Sequence, residues 1–182
     1  SLREEAERVI REVREDLDRL RRESKKVNDR IRRTLDELRK RSDDAVRDIK
    51  EKLKELAKRT TDEKVKKILK DVEDEVEKVN RENREIIKEL EKVSNDLDRR
   101  NKEILRTLKK LADEVLERVK DVDKDVVREL AERLKRLLEE VEKRVKDTIR
   151  ELEKIVEEVR KRVEDTIRRL EEVLDKVAKE VT

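Results

Sequence analysis

Only sixteen side chains in this sequence are neither aliphatic nor charged, and all are Ser, Thr or Asn. Four of them (Ser1, Thr60, Thr61 and Thr182) fall at ends or turns, and Asn95 and Thr107 fall on an outer helical face. The other ten, Ser24, Asn28, Thr34, Ser42, Asn80, Asn83, Ser94, Asn101, Thr148 and Thr166, lie on or beside the apolar stripe. Thr34 and Asn80 stand at its edges. The chemistry open to these groups is hydrogen bonding, as hydroxyl and amide donors and acceptors. Ser and Thr have a plain alternative there, a bond back to the carbonyl of the preceding turn. Asn has no such outlet, and a buried amide without a partner costs ~1–3 kcal/mol.

Other chemistry is excluded by what is missing. Without His or Cys there is no ordinary zinc, haem or iron–sulfur site, no thiol nucleophile and no imidazole acid or base. Without Phe, Tyr or Trp no aromatic face stacks on a base or sugar, and without Gly no loop cradles a phosphate. Helical bundles hold metals through inward Glu and Glu-x-x-His pairs, whereas the acids near this stripe, Asp16, Glu75 and Asp98, sit at its edges. Paired acids for acid–base work need a pocket, and none is suggested. Arg21-Arg22, Arg32-Arg33 and Arg99-Arg100 have acidic neighbours one turn away, which marks a solvated, salt-bridged surface rather than phosphate contacts. A net charge of +3, drawn from 55 basic and 52 acidic residues, creates no field for nucleic acid or anionic lipid. No apolar run approaches the ~20 residues of a membrane span. The expectation is a protein with no enzymatic activity, no cofactor, no metal and no nucleic-acid or membrane partner, kept in the cytoplasm on recombinant expression.

The elements that position the polar residues are helices. Charged residues make up 59% of the chain, a level that accompanies disorder when apolar residues are unpatterned. Here they are strictly periodic. Arg144–Lys161 and Arg162–Lys179 are two copies of one eighteen-residue unit, with Val145 matched to Val163, Ile149 to Ile167 and Leu152 to Leu170. The same offset joins Leu17, Leu35 and Leu53, and again Ile68, Ile86 and Ile104. Eighteen residues are five turns at ~3.6 per turn, so the stripe does not drift, and straight helices are predicted instead of a left-handed supercoil. The stripe is ~120° wide, enough for one helix to face two others.

Two interruptions divide the chain. Thr60 with Glu63 has the spacing of a capping box, Asp123 has the position of an N-cap, and Ser1 with Glu4 repeats the box at the start. Helices are predicted near 2–59, 62–120 and 124–181, each ~87 Å long at ~1.5 Å per residue. Short turns make neighbours antiparallel. The predicted fold is a single all-α domain over 1–182: a long, nearly straight, antiparallel up-down-up three-helix bundle, monomeric because three stripes satisfy one another and no second stripe lies on the far faces.

Folding the hairpins in register brings the polar residues to two heights. Ser42 comes level with Asn80, Asn83 and Thr166. Ser24 comes level with Ser94, Asn101 and Thr148, with Asn28 one turn away. Asn83 and Asn101 take the stripe position held by Val65 and Val119, and Ser24 and Ser42 take that of Ala6. Such layers are expected to bond between helices and to set register, because a one-repeat slip strands buried amides. Replacing a whole layer by Val or Leu is expected to keep or raise stability while loosening register.

The eighteen-residue repeat, three near-equal segments, the closed alphabet and the interspersed Arg, Lys and Glu surface resemble de novo designed, parametrically generated, untwisted three-helix bundles. That resemblance covers the whole chain and implies a hyperstable structural scaffold without a natural substrate, although designed loops commonly carry Gly and these carry none. The competing expectation is a designed binding or assembly module, a component of a larger complex, which an apolar patch on an outer face would signal. Lipid-binding amphipathic helices resemble it in stripe and charge, but they carry the Pro and aromatic residues that this chain lacks.

Overall fold

A computed structural model describes residues 1–181; the terminal placement expected for Thr182 lies outside the described residues. Among them are three α-helices, α1 (Leu2–Arg59), α2 (Glu63–Arg118) and α3 (Lys124–Val181), with a 3-10 turn at Val119–Asp121 before α3, and no strand. Each helix packs against both others, so the chain is an all-α three-helix bundle. No helix among the described residues is long and apolar enough to cross a membrane.

The chain forms two compact units, each with one stretch of all three helices. The first comprises Ser1–Arg30 and Val93–Glu153, and the second comprises Ile31–Lys92 with the chain from Lys154 onward. In the first, Ile10 and Leu17 of α1, Leu105 and Ala112 of α2, and Val127 and Val145 of α3 meet in one core. In the second, Ile49 and Leu53 meet Leu69 and Val76 of α2 and Leu170 and Leu174 of α3. Full burial of each such Leu, Ile or Val contributes roughly 1.5–3 kcal/mol. Within the second unit Lys50 pairs with Glu77 and Asp43 with Arg84, and within the first Arg14 pairs with Asp113 and Asp18 with Lys109, so in each unit α1 and α2 run antiparallel.

The stripe of α2 is turned relative to the sequence reading. Its buried rows are Leu69, Ile87 and Leu105, and Val76, Ser94 and Ala112, whereas Ile68 is exposed and Ile86 and Ile104 are half-buried. The sequence offers two adjacent apolar rows (Ile68-Leu69, Ile86-Ile87, Ile104-Leu105), and packing against two neighbours buries the second.

The helix ends explain why no glycine is needed. No described residue has a positive φ, so neither turn uses the left-handed region that favours Gly. The first turn is capped differently from the expected Thr60–Glu63 box. Asp62 is the cap: its Oδ1 accepts from the Lys64 amide at 3.0 Å, while Thr60 Oγ1 accepts from the Asp62 amide at 3.2 Å. A carboxylate directly before the first helical residue answers both the orphan amides and the positive end of the helix dipole. At the start of α1, Ser1 Oγ accepts from the Glu4 amide at 3.3 Å. Asp123 stands at the N-cap position of α3, and its backbone carbonyl accepts from the Val127 amide at 3.0 Å. The segment predicted as helical to residue 120 leaves α geometry after Arg118 and closes in the 3-10 turn.

Candidate functional site

In the second unit, Ser42 of α1, Asn80 and Asn83 of α2 and Thr166 of α3 come together. Ser42 Oγ donates to Asn80 Oδ1 at 2.9 Å and accepts from Asn83 Nδ2 at 3.4 Å. Asn83 Nδ2 also donates to Thr166 Oγ1 at 3.0 Å, and the Thr166 hydroxyl donates back to the Val163 carbonyl at 2.8 Å. Ser42 and Asn83 are buried, and Asn80 and Thr166 are half-buried at the stripe's edges. The amide of Asn83 thereby links α1 to α3.

Charged side chains close this cluster on the α1–α2 side. Asn80 Nδ2 donates to Asp43 Oδ1 at 3.3 Å, and Arg84 Nε donates to the same oxygen at 2.8 Å. The Arg84 hydrogen bond, helped by Asn80 and opposed by burial, holds the Asp43 carboxyl below its ordinary value of 3.8. A carboxyl depressed in the fold contributes stability that is fully present above the unfolded value and is lost as pH falls through the folded one. Asp43→Asn is therefore expected to lower stability at pH 7, and the gap to the parent should close as the pH is taken below about 4. Denaturation midpoints measured at pH 7 and pH 2.5 check this. An undiminished gap at pH 2.5 removes Asp43 ionisation as the cause. Arg41 binds Glu164 on the α1–α3 side, with Nε to Oε1 at 3.3 Å and Nη2 to Oε2 at 3.4 Å.

In the first unit the nominated residues behave differently. Ser94 Oγ of α2 donates to Asn28 Oδ1 of α1 at 3.3 Å. Ser24 and Asn101 are buried, yet their side chains make no hydrogen bond among the described residues. Thr148 does not reach across helices as expected. Its hydroxyl donates to the Arg144 carbonyl at 2.8 Å, one turn back, which satisfies it without ordering a partner.

The repeat supplies the reason. Eighteen residues relate Ser24 to Ser42, Asn101 to Asn83 and Thr148 to Thr166, but the counterpart of Asn80 is Asp98. Lys25 and Lys102 stand where Asp43 and Arg84 stand in the other copy. The first unit thus carries the same cluster with its amide exchanged for a carboxylate and its outer acid for a base. Asp98 is mostly buried, its side chain 12% exposed. Its Oδ2 pairs with Lys102 Nζ at 3.1 Å, and its Oδ1 is buried without a hydrogen-bond partner. The apolar stripe alone marks Asp98 as an acid at its edge and not as a member of the layer. Comparing the two layers residue by residue at the repeat offset finds it, and finds Asp43 and Arg84 as well.

Ser42 and Thr166 have no base to remove a proton, and no group of three or more acids able to hold a metal occurs among the described residues. No protein-family model, curated protein or solved structure matches the chain.

Proposed function

We propose that the chain is a structural scaffold of the designed kind, whose internal polar clusters specify which residues of the three helices lie level. The observation that carries this reading is Asn83, a buried amide bonded to α1 through Ser42 and to α3 through Thr166. A shift of one helix removes those partners, whereas an aliphatic core with a perfect repeat slides with little penalty. The absent residue types support a protein without enzymatic activity, cofactor or metal, because the usual ligands and nucleophiles do not occur. Capping, helix propensity, ion pairs and stripe all favour the same fold, so high stability is expected. Circular dichroism should keep its helical signal beyond about 70 °C, above the ~45–65 °C of ordinary domains. Melting below that temperature, or tight stoichiometric metal binding abolished by changing Asp98 or Glu75, speaks against the scaffold reading.

A second reading is favoured by one observation. Among the described residues seven large apolar side chains are exposed, and six of them (Ile68, Val93, Leu111, Val126, Leu137 and Val173) belong to α2 and α3. Exposed apolar side chains concentrated on two helices support a component of an assembly that covers them. Light scattering on the purified chain separates an assembling species from a lone one.

A further inference from the structure

The α2 and α3 stripes of the first unit spill over onto the groove between these helices. Ile104 and Leu111 of α2 and Leu137 and Val141 of α3 line a cleft of about 530 Å³ there. Leu111 and Leu137 are 42% and 40% exposed, and Val93 of the same α2 row is 45% exposed. At ~100° per residue, Val93, Ile104 and Leu111 fall within about 20° of one line along α2, and Val126 and Leu137 do so along α3. Both lines are turned away from the core centre toward the groove mouth. They point where the middle of a four-helix arrangement lies if two more helices cover the face.

The charges beside these lines identify the cover. α2 carries Asp96, Arg100, Glu114 and Arg118 around Thr107, and α3 carries Glu129, Arg133, Glu140 and Arg144 around Leu137, all of them exposed. Laid antiparallel on its own copy about Thr107, α2 sets Asp96 opposite Arg118 and Arg100 opposite Glu114. Laid antiparallel on its own copy about the midpoint of Arg136 and Leu137, α3 sets Glu129 opposite Arg144 and Arg133 opposite Glu140. Thr107 and Leu137 both line this groove, and one twofold axis through it produces all eight ion pairs. The other twofold, parallel to the helices, puts α2 on α3 of the copy. It faces Arg100 with Arg144, Glu103 with Glu140 and Glu114 with Glu129, all like charges. Self-complementarity under one operator and repulsion under the other is what an isologous interface requires.

We infer that this α2–α3 face is a homodimer interface: a second copy covers the groove about a twofold axis through the Thr107–Leu137 level. The inference rests on the assembly reading, and it replaces the lone bundle expected from the stripes with a pair. The area is sufficient. From Val93 to Arg118 the face is ~39 Å long at ~1.5 Å per residue. With helix axes ~10 Å apart and side chains on either side it is ~20 Å wide. That gives about 800 Å² per partner, the size of a standard specific interface.

Sedimentation velocity across a hundredfold range of protein concentration reads the state directly, and a concentration-dependent dimer mass is expected. Leu137→Lys should return the protein to monomer with its helical circular dichroism intact. Arg100→Glu should weaken the dimer at least tenfold, and the swap Arg100→Glu/Glu114→Arg should restore it, because each pair occurs twice across the axis. Thr107→Cys, the single thiol in an otherwise cysteine-free chain, should crosslink rapidly to a dimer under mild oxidation, whereas Lys70→Cys should not. A dimer or larger oligomer indifferent to the swap, with no Thr107→Cys crosslink, overturns the twofold proposed here and leaves the assembly reading standing. A monomer at every concentration overturns both.

Discussion

Replacing Ser42 by Ala and Thr166 by Val together is expected to destabilise the protein by about 1–3 kcal/mol, the cost of leaving a buried amide without partners. Both bonds made by Asn83 Nδ2 run to these two hydroxyls, at 3.4 and 3.0 Å, and Asn83 is 2% exposed. Water cannot stand in for them without opening the core. Adding Asn83→Leu to the same variant should recover most or all of the loss, since an apolar side chain at that position matches Val65 and Val119 of the repeat. The expected non-additivity is the signature of residues acting on one another. Guanidinium midpoints of the parent, the double and the triple variant measure it. If the triple variant is no more stable than the double, the amide was not stranded, and Asn83 is held by something other than the two hydroxyls.

Asp98→Asn is expected to stabilise the protein by roughly 1–2 kcal/mol, the opposite of the usual direction for a substitution at a buried position. The carboxylate stands where its repeat counterpart has the amide of Asn80, and one of its oxygens is buried without a partner. Its ion pair with Lys102 is worth little to stability, because the Lys102 side chain is 45% exposed. The amide removes a buried charge while keeping an oxygen of the kind that accepts from Ser42 in the other copy. The midpoint should rise at constant m-value, which marks a change in stability rather than in compactness. A lower midpoint at neutral pH would show that the Asp98–Lys102 pair outweighs the orphaned oxygen.

Much of the candidate site was legible before any coordinates, for a geometric reason. Within a helix of fixed pitch, the angular position of a residue follows from its number, so Ser42, Asn83 and Thr166 could be placed on inward faces from the repeat alone. Two short turns then set the register between helices to within about a turn, which brought Ser42 level with Asn80. The bonds themselves were not legible. Thr148 and Thr166 are repeat copies, yet the hydroxyl of Thr166 accepts from Asn83 and that of Thr148 has only the carbonyl one turn back. Sequence equivalence does not decide which of two competing partners a hydroxyl meets. Sub-ångström placement of the facing helix does.

The sequence by itself determined the secondary structure, the number of helices and their antiparallel order. All of these follow from local propensity, from the 3.6-residue pitch and from composition. Only the tertiary structure decided which of two adjacent apolar rows on α2 is buried, that Asp62 rather than Thr60 caps α2, and that Asp98 joins a polar layer with one oxygen unpaired. It also decided that the leftover apolar rows of α2 and α3 meet in one groove. Apart from the cap, which the local backbone of the turn settles, each of these turns on how far a helix is rotated about its own axis against its neighbours. A single stripe leaves that rotation free by some tens of degrees, and it is fixed when side chains from three helices compete for the same space.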